Sequence, residues 1–557
     1  MPFKSCRSGA LCLLIVVAAV SNLAAAEVDL FGVREEHVMI PMRDGTKLSA
    51  YLYFPPGEGK HPVIYEQRYA DLKGTGTRQT YARLANAGFV ICAQNFRGAA
   101  LSEGTWVGYR ALGWGTLQDG YDTVEWLAAQ PWSTGKIGTL GSSQAGFAQN
   151  FLAVTQPPHL TAQYMIDTGL SLYHEGYRIG GTTRPVRFKG MGAVCREPAH
   201  NDALLDEWFK HPTFDDYWKD EDCSRHFDKM NVPCFTIGSW FDFMNVGSIE
   251  SYRGRQHRAG LQSRGHQQLL IGPWLHGGYQ GKNTNVTNEL TFPINAKFDA
   301  ESHIVQWFNY WLKGVDNQIV RDPAVRYYVM GAVGEEGAPG NVWREANDWP
   351  VNSTPTSYYL HLDKSLTNYT PTEADAVVSY LADPLHPVNI PNPRGFPGAA
   401  DARHVEEQAE VRTFTTEPLA SPVEWTGIVK AELFVTSTAK DSDFIVRVSD
   451  VYPDGRSILL VDYVRRGRYR EGYEREVFFE PGKVEKVAFD VGWISQIFAK
   501  GHRIRVTVTS TGAPFYEPNP NTGEPLTLEF PEKTEVSTIG LQVNSQHASR
   551  VIAPLNE

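Results

Sequence analysis

The chain of 557 residues is 42% hydrophobic and 21% charged, which is enough for more than one core and unlike a disordered or fibrous chain. Its formal net charge of −11 provides no basic face, so nucleic acid is excluded as the expected partner. The 14 Trp, 25 Tyr and 27 Phe suit ordered cores and apolar pockets.

The first residues read as a targeting segment. Lys4 and Arg7 precede an apolar run from Ala10 to Val20, and Ala24-Ala25-Ala26 offers a cleavage site before Glu27. Residues 1–26 are therefore expected to be a signal peptide, the mature chain to be exported to the periplasm or the medium, and no segment to span a membrane.

From Val38 to about Gly331 strand-like runs alternate with helical patterns. Val38-Met39-Ile40 and Lys47 to Phe54 flank Arg43-Asp44-Gly45 as an opening hairpin. Short apolar runs follow at Pro62–Tyr65, Phe89–Gln94, Lys136–Leu140, Tyr164–Ile166, Cys234–Ile237 and Gln268–Ile271. Helical patterns lie at Thr80–Ala87, Tyr121–Ala129, Phe147–Val154, Val246–Arg255 and Ala300–Leu312. Alternation of this kind predicts a mostly parallel α/β sheet, in two parts at residues 27–172 and 231–343. The stretch 173–230 lacks strand periodicity, carries Phe188, Trp208, Phe214 and Trp218, and reads as an inserted cap that would line a pocket. Residues 344–557 turn to β-branched, alternating runs separated by turns such as Pro453-Asp454-Gly455, the signature of a β-sandwich; Pro384 to Pro397 reads as a surface loop within it.

Four cysteines remain beyond the leader. Cys92 and Cys234 sit in apolar runs and fit buried thiols. Cys195 and Cys223 share a polar, Trp-containing segment that a bridge would staple, although four cysteines allow three full pairings and spacing does not choose among them.

Gly141-Ser142-Ser143-Gln144-Ala145-Gly146 separates an apolar run from a helical one, the strand–turn–helix setting of a nucleophile elbow. Such a turn exposes a serine Oγ, and helix-start N–H groups beside it face a developing oxyanion. A serine so placed needs a histidine base, held in its tautomer by a carboxylate. Downstream, Asp242 follows the run ending at Ile237, and His276 follows the run ending at Ile271. Both fall in loops at strand carboxyl ends, in the chain order Ser, Asp, His of α/β-hydrolases. His303 and His502 read as structural.

With Trp240-Phe241-Asp242 and Gly272-Pro273-Trp274-Leu275-His276, the elbow resembles the cocaine esterase / X-Pro dipeptidyl-peptidase-like serine hydrolase family, which includes glutaryl acylases and α-amino acid ester hydrolases. Pro41–Gly45, Arg97-Gly98, Ser102–Gly104, Asp119–Thr123 and Gln130–Trp132 are similar to it too, as are Phe434–Ala439, Asp450–Arg456 and Asn519–Gly523 in the β-rich part. The resemblance implies an α/β-hydrolase core, a helical cap and a C-terminal jelly roll. It implies Ser143 as nucleophile, His276 as general base and acid, Asp242 as its partner, and an oxyanion hole made by the Tyr69 hydroxyl and the Gln144 N–H, with Tyr65 as the alternative tyrosine. It implies a small ester or amide substrate and requires no metal or organic cofactor.

The chain departs from the family's usual pattern at two points: Arg68 stands where Pro usually precedes the oxyanion tyrosine, and Gln144 where Tyr usually follows the nucleophile. Phe243-Met244-Asn245 after Asp242 lacks the carboxylates that hold a substrate ammonium, which disfavours α-amino acid esters. Arg178, Arg184, Arg187 and Lys189 form either a solvated basic face or a site for an acidic acyl group, as a glutaryl-type acylase needs. The rival readings are an X-Pro-type dipeptidyl peptidase and, outside enzymes, an exported protein that binds through its jelly roll.

Overall fold

The computed structural model describes residues 28–183, 190–277, 285–390, 398–527 and 529–556. The signal peptide expected at 1–26 lies outside these residues, as do Arg184, Arg187 and Lys189.

A ten-stranded sheet forms the first layer. Its strands in chain order are β1 (Arg34–Pro41), β2 (Lys47–Phe54), β3 (His61–Arg68), β4 (Val90–Asn95), β5 (Ser133–Ser142), β6 (Leu160–Ile166), β7 (Cys234–Phe241), β8 (Gln267–Leu275), β9 (Val325–Val329) and β10 (Val342–Ala346). They lie in the order β1-β2-β4-β3-β5-β6-β7-β8-β9-β10, parallel from β4 through β9 and antiparallel at both edges. Every residue of β7 is buried, as a strand covered on both faces requires, including Thr236 and Ser239. The sheet continues to Ala346, slightly past the 344 at which the β-rich part was expected to begin.

Helices α1 (Thr75–Asn86), α2 (Asp119–Ala128), α3 (Gln144–Thr155), α4 (Pro198–Lys210), α5 (Asn245–Arg258) and α6 (Ala300–Lys313) are the longer helices. In α6, Ile304, Trp307, Phe308 and Leu312 make the buried stripe, Asp299 caps the first turn by accepting from the Ser302 N–H at 3.1 Å, and Gly314 ends it with φ 72°. Helix α1 starts before the expected Thr80, because its first turn runs through the Gly74-Thr75-Gly76 segment that reads as a loop.

Three dispersed sequence motifs converge on one buried guanidinium. Arg97 donates to both carboxylate oxygens of Asp119 (2.6 and 3.0 Å), to Asp44 at 2.7 Å and to Thr46 at 2.8 Å. The bidentate contact satisfies a charge that burial would otherwise make costly, and it locks the opening hairpin to the start of α2.

Between β6 and β7 the chain forms the expected insertion: a π-helical turn at Leu172–Tyr177, α4, and short helical turns at Asp216–Lys219 and Cys223–Lys229. Trp208, Phe214 and Trp218 are buried within it, against Phe147 and Phe151 of α3 in one apolar cluster. Cys92, Cys195, Cys223 and Cys234 are all buried free thiols, so the Cys195–Cys223 bridge that the sequence left open is not formed. Packing replaces it: both residues are members of that same cluster, and the Cys195 thiol donates to the Met191 carbonyl. Arg178 is not part of a solvated face either. It is buried, its guanidinium donates to the Trp208 carbonyl, and it lies over the rings of Tyr173 and Phe209.

Beyond Trp349 two antiparallel sheets pack as a β-sandwich. One contains the long pair Val423–Ser437 and Glu485–Phe498, and the other has the order 412–415, 503–509, 443–451, 457–466. Trp349 joins the sandwich to the hydrolase sheet, with ring contacts to Trp240 (5.9 Å), Tyr327 (5.2 Å) and Trp493 (5.8 Å). Part of the Pro-rich run expected as surface is core: Val388 and Ile390 are buried against Val405 and Val411, while 391–397 lie outside the described residues.

Candidate active site

The parallel strands β5 to β8 bring four chain crossings to one edge of the sheet. Ser143 follows β5, Asp167 follows β6, Asp242 follows β7 and His276 follows β8. These are the carboxyl ends of the strands, where open α/β sheets collect their sites.

Ser143 adopts φ 57° and ψ −114°, a strained conformation for a residue with a side chain, and its N–H is anchored by the Ile166 carbonyl at 2.9 Å. The serine is partly exposed. Its neighbours explain why the turn is built from small residues. A Cβ on Gly141 would stand 2.4 Å from Ala145 Cβ, and one on Gly146 would stand 2.8 Å from Thr168 Cβ. The elbow is thus wedged between helix α3 and the end of β6, and only glycine fits at either contact.

Asp242 Oδ1 accepts from His276 Nδ1 at 2.8 Å, with the carboxylate fully buried and the imidazole about a quarter exposed. A carboxylate on Nδ1 selects the tautomer in which Nε2 is the basic nitrogen, and it stabilises the imidazolium that results when Nε2 takes a proton. The Phe243 ring lies 4.7 Å from the imidazole and restricts its rotation from one side. Met244 and Asn245, next in the chain, are buried, so the turn after Asp242 directs its polar and apolar groups inward.

Tyr69 is half-buried, and its ring stands edge-on to Phe96, Trp106 and Tyr109 at 5.7, 5.8 and 6.4 Å. The alternative, Tyr65, is buried, and its hydroxyl donates to Gln94 at 2.6 Å; it is occupied within the sheet. Gln144 does more than carry a backbone donor. Its Oε1 accepts the N–H of Tyr69 at 2.8 Å and that of Ala70 at 3.0 Å, tying the elbow to the loop after β3. Beside that loop, Arg68 pairs with Glu66 at 3.2 Å, and Glu66 accepts the Tyr81 hydroxyl at 2.7 Å.

Asp167 was not singled out from the sequence. Its Oδ1 accepts the Ser239 hydroxyl and its Oδ2 the Gly277 N–H, both at 2.8 Å. Burial, and then the Asp242 carboxylate, push the Asp167 carboxyl up to about 7. The available signal was an acidic residue directly after the apolar run Tyr164–Ile166, in the same strand-end setting as Asp242. One donor atom each from Asp167, Asp242 and His276 lie within 4.8 Å of one another, a spacing that would fit a cation. Asp167 already accepts from Ser239 and Gly277, and Asp242 Oδ1 from His276, while the buried Asp242 Oδ2 has no hydrogen-bond partner among the described residues.

Comparison with known proteins agrees with this architecture. The model of the X-Pro dipeptidyl-peptidase (S15 family) matches residues 44–197 and 187–278, and that of the X-Pro dipeptidyl-peptidase C-terminal non-catalytic domain matches 317–552. The chain is 28% identical to cocaine esterase from Rhodococcus sp. (strain MB1 Bresler), over 93% of this chain and 98% of that one. Among solved structures, an aminopeptidase from a marine sediment Thaumarchaeota archaeon has a TM-score of 0.83 at 22% identity, covering 97% of this chain and 99% of its own. An α-amino acid ester hydrolase has the same TM-score and identity, covering 98% and 100%. At that identity the two structures establish the fold. The two family models and the full-length similarity to cocaine esterase show that the chain belongs to the X-Pro dipeptidyl-peptidase S15 / cocaine esterase family of serine hydrolases.

Proposed function

We propose that the chain hydrolyses a carboxylic ester or amide through an acyl-enzyme on Ser143. The observation that carries this reading is the 2.8 Å Asp242–His276 contact, at the carboxyl ends of the same sheet in which a serine held at positive φ follows β5. Ser143 Oγ attacks the substrate carbonyl while His276 Nε2 takes its proton, and the Asp242 carboxylate stabilises the imidazolium. The Tyr69 hydroxyl and the Gln144 N–H donate to the tetrahedral oxyanion. As the intermediate collapses, His276 returns the proton to the leaving alcohol or amine. Water then enters, and His276 deprotonates it for attack on the acyl carbonyl, which releases the acid and restores Ser143.

We rank esters ahead of X-Pro peptides, and α-amino acid esters are disfavoured because the turn after Asp242 consists of Phe243, Met244 and Asn245, with no carboxylate to hold a substrate ammonium. A glutaryl-type substrate loses one support, because Arg178 is buried, with Nη2 donating to the Trp208 carbonyl. Export rests on the leader-like composition of residues 1–26. The test is labelling by a fluorophosphonate probe, followed by turnover of a panel of aryl esters, acyl amides and X-Pro dipeptide anilides. Labelling that vanishes in Ser143→Ala, with turnover concentrated on aryl esters, is the expected result. Preference for the anilides reverses the substrate order, and absence of labelling in folded protein removes the acyl-enzyme.

A further inference from the structure

Asp167 occupies the crossing between Ser143 and Asp242, because β6 lies between β5 and β7 in the sheet. Its backbone takes φ 46°, and its N–H donates to the Ile237 carbonyl of β7 at 2.9 Å, so the residue is fastened to the strand that delivers Asp242. The side chain is completely buried. One of its oxygens holds the Ser239 hydroxyl, and the other holds the N–H of Gly277, the residue that follows His276.

Those contacts give Asp167 a mechanical link to the histidine, and its charge gives it a second link. An Asp167 oxygen, an Asp242 oxygen and a ring nitrogen of His276 share a space less than 4.8 Å across. Two carboxylates that close in a dry site resist ionising together unless a positive charge stands beside them. Here the positive charge is the imidazolium that forms each time His276 takes a proton.

We propose that Asp167 is a positioning residue of this site: it fixes the His276 turn through the Gly277 N–H, and its charge sets the pH at which His276 becomes a base. The proposal rests on Ser143, Asp242 and His276 acting as the triad. The charged groups that bear on Asp167 are Asp242 from the end of β7 and His276 from the end of β8; the Ser239 hydroxyl and Gly277 N–H complete its surroundings. From α5, the Ser248 hydroxyl bonds to Thr168 instead, and the buried Glu175 carboxylate accepts from Leu170 and Ser171.

Asp167 and His276 then titrate as a pair. With one proton between them, the pair is active when the proton sits on Asp167 and inactive as base when it sits on His276. Removing the Asp167 charge disfavours the second arrangement, so His276 takes its proton only at lower pH. In Asp167→Asn the amide oxygen still accepts from Gly277 and the amide N–H₂ faces the Ser239 oxygen, so shape and hydrogen bonding are retained.

The experiment is kcat and KM for an aryl ester between pH 5 and 9 in wild type and Asp167→Asn, with fluorophosphonate labelling of both. The expected result is a KM within about twofold of wild type and an acid limb of kcat/KM displaced downward by about half to one pH unit. Ser239→Ala, which removes one donor to the carboxylate, moves the limb in the same direction by less and serves where Asp167→Asn fails to fold. Superimposable profiles in enzymes that still label on Ser143 overturn the proposal and leave Asp167 a packing residue. Absence of labelling in the wild type overturns the triad itself.

Discussion

Gln144 reaches from the first turn of α3 to the loop after β3, where its Oε1 accepts the N–H groups of both Tyr69 (2.8 Å) and Ala70 (3.0 Å). The residue after the nucleophile therefore positions, through its side chain, the tyrosine proposed to share the oxyanion with its own backbone N–H. A donor in the loop after β3 and a donor at the start of α3 are held in register by one amide.

Gln144→Ala keeps the backbone donor and removes that tie. The Tyr69 loop loses its fixed distance from the elbow, and preorganisation is what an oxyanion hole contributes. The expected outcome is a kcat lowered about tenfold with KM within about twofold, read by steady-state kinetics on an aryl ester.

Tyr69→Phe tests the hydroxyl alone. The ring keeps its edge-on contacts with Phe96, Trp106 and Tyr109, so the thermal midpoint should be unchanged. Loss of one oxyanion donor lowers kcat by about 10²–10³. A kcat within a factor of about three of wild type assigns the second donor elsewhere.

Gly141→Ala attacks the elbow mechanically. The new methyl would meet Ala145 Cβ at 2.4 Å on a backbone with φ 154°. Helix α3 must move or the turn must open, at a cost of about 2–4 kcal/mol by denaturant titration and with loss of fluorophosphonate labelling.

Arg97→Lys separates charge from geometry. A lysine retains the charge but cannot reach Asp44, Thr46 and both oxygens of Asp119 at once. Desolvation already pushes the Asp119 carboxyl up to about 6, against the opposing pull of Arg97. We expect a loss of about 2–4 kcal/mol in unfolding free energy, with Arg97→Met no milder, because Asp119 is then buried without a partner.

His303 predicts the acid side of stability. Its ring packs 4.3 Å from Phe235 and 5.3 Å from Phe298, and burial pushes its pKa down to about 4. Between that value and the 6.5 of an unfolded histidine, the unfolded chain binds the extra proton, so stability falls as pH drops through that window. The contribution is roughly 2–3 kcal/mol. His303→Gln should flatten the decline in unfolding free energy from pH 6.5 to 4, measured by urea titration. His502 has the opposite sign. Desolvation opposes its charge, but hydrogen bonds from its ring to Asp450 and Glu335 prevail and raise its pKa. Its contribution is present below the unfolded value and is lost as pH rises through the folded one.

Much of the scaffold was legible before the structure. The runs Lys136–Leu140, Cys234–Ile237 and Gln268–Ile271 fall inside β5, β7 and β8, since buried parallel strands read as short, mostly apolar runs bounded by turn residues. The elbow was legible because its demand for small residues is written in neighbouring positions. The start of α1 at Thr75, ahead of the expected Thr80, was not legible, because Gly74 and Gly76 suppress the local helical signal that tertiary packing overrides.

By itself the sequence determined the order of strands and helices, the strand-end placement of Ser143, Asp242 and His276, and the kind of chemistry they carry. These follow from local periodicity and turn propensity, which act over a few residues. Only the tertiary structure decided that Gln144 holds the Tyr69 loop, that Asp167 stands beside Asp242 and under the His276 turn, that Arg178 is buried against Trp208, and that Cys195 and Cys223 stay apart. Each of these pairs is set by strand order and packing, which bring together side chains up to 110 positions apart, as Asp167 and Gly277 are. No local pattern records which partner a buried polar group will find there.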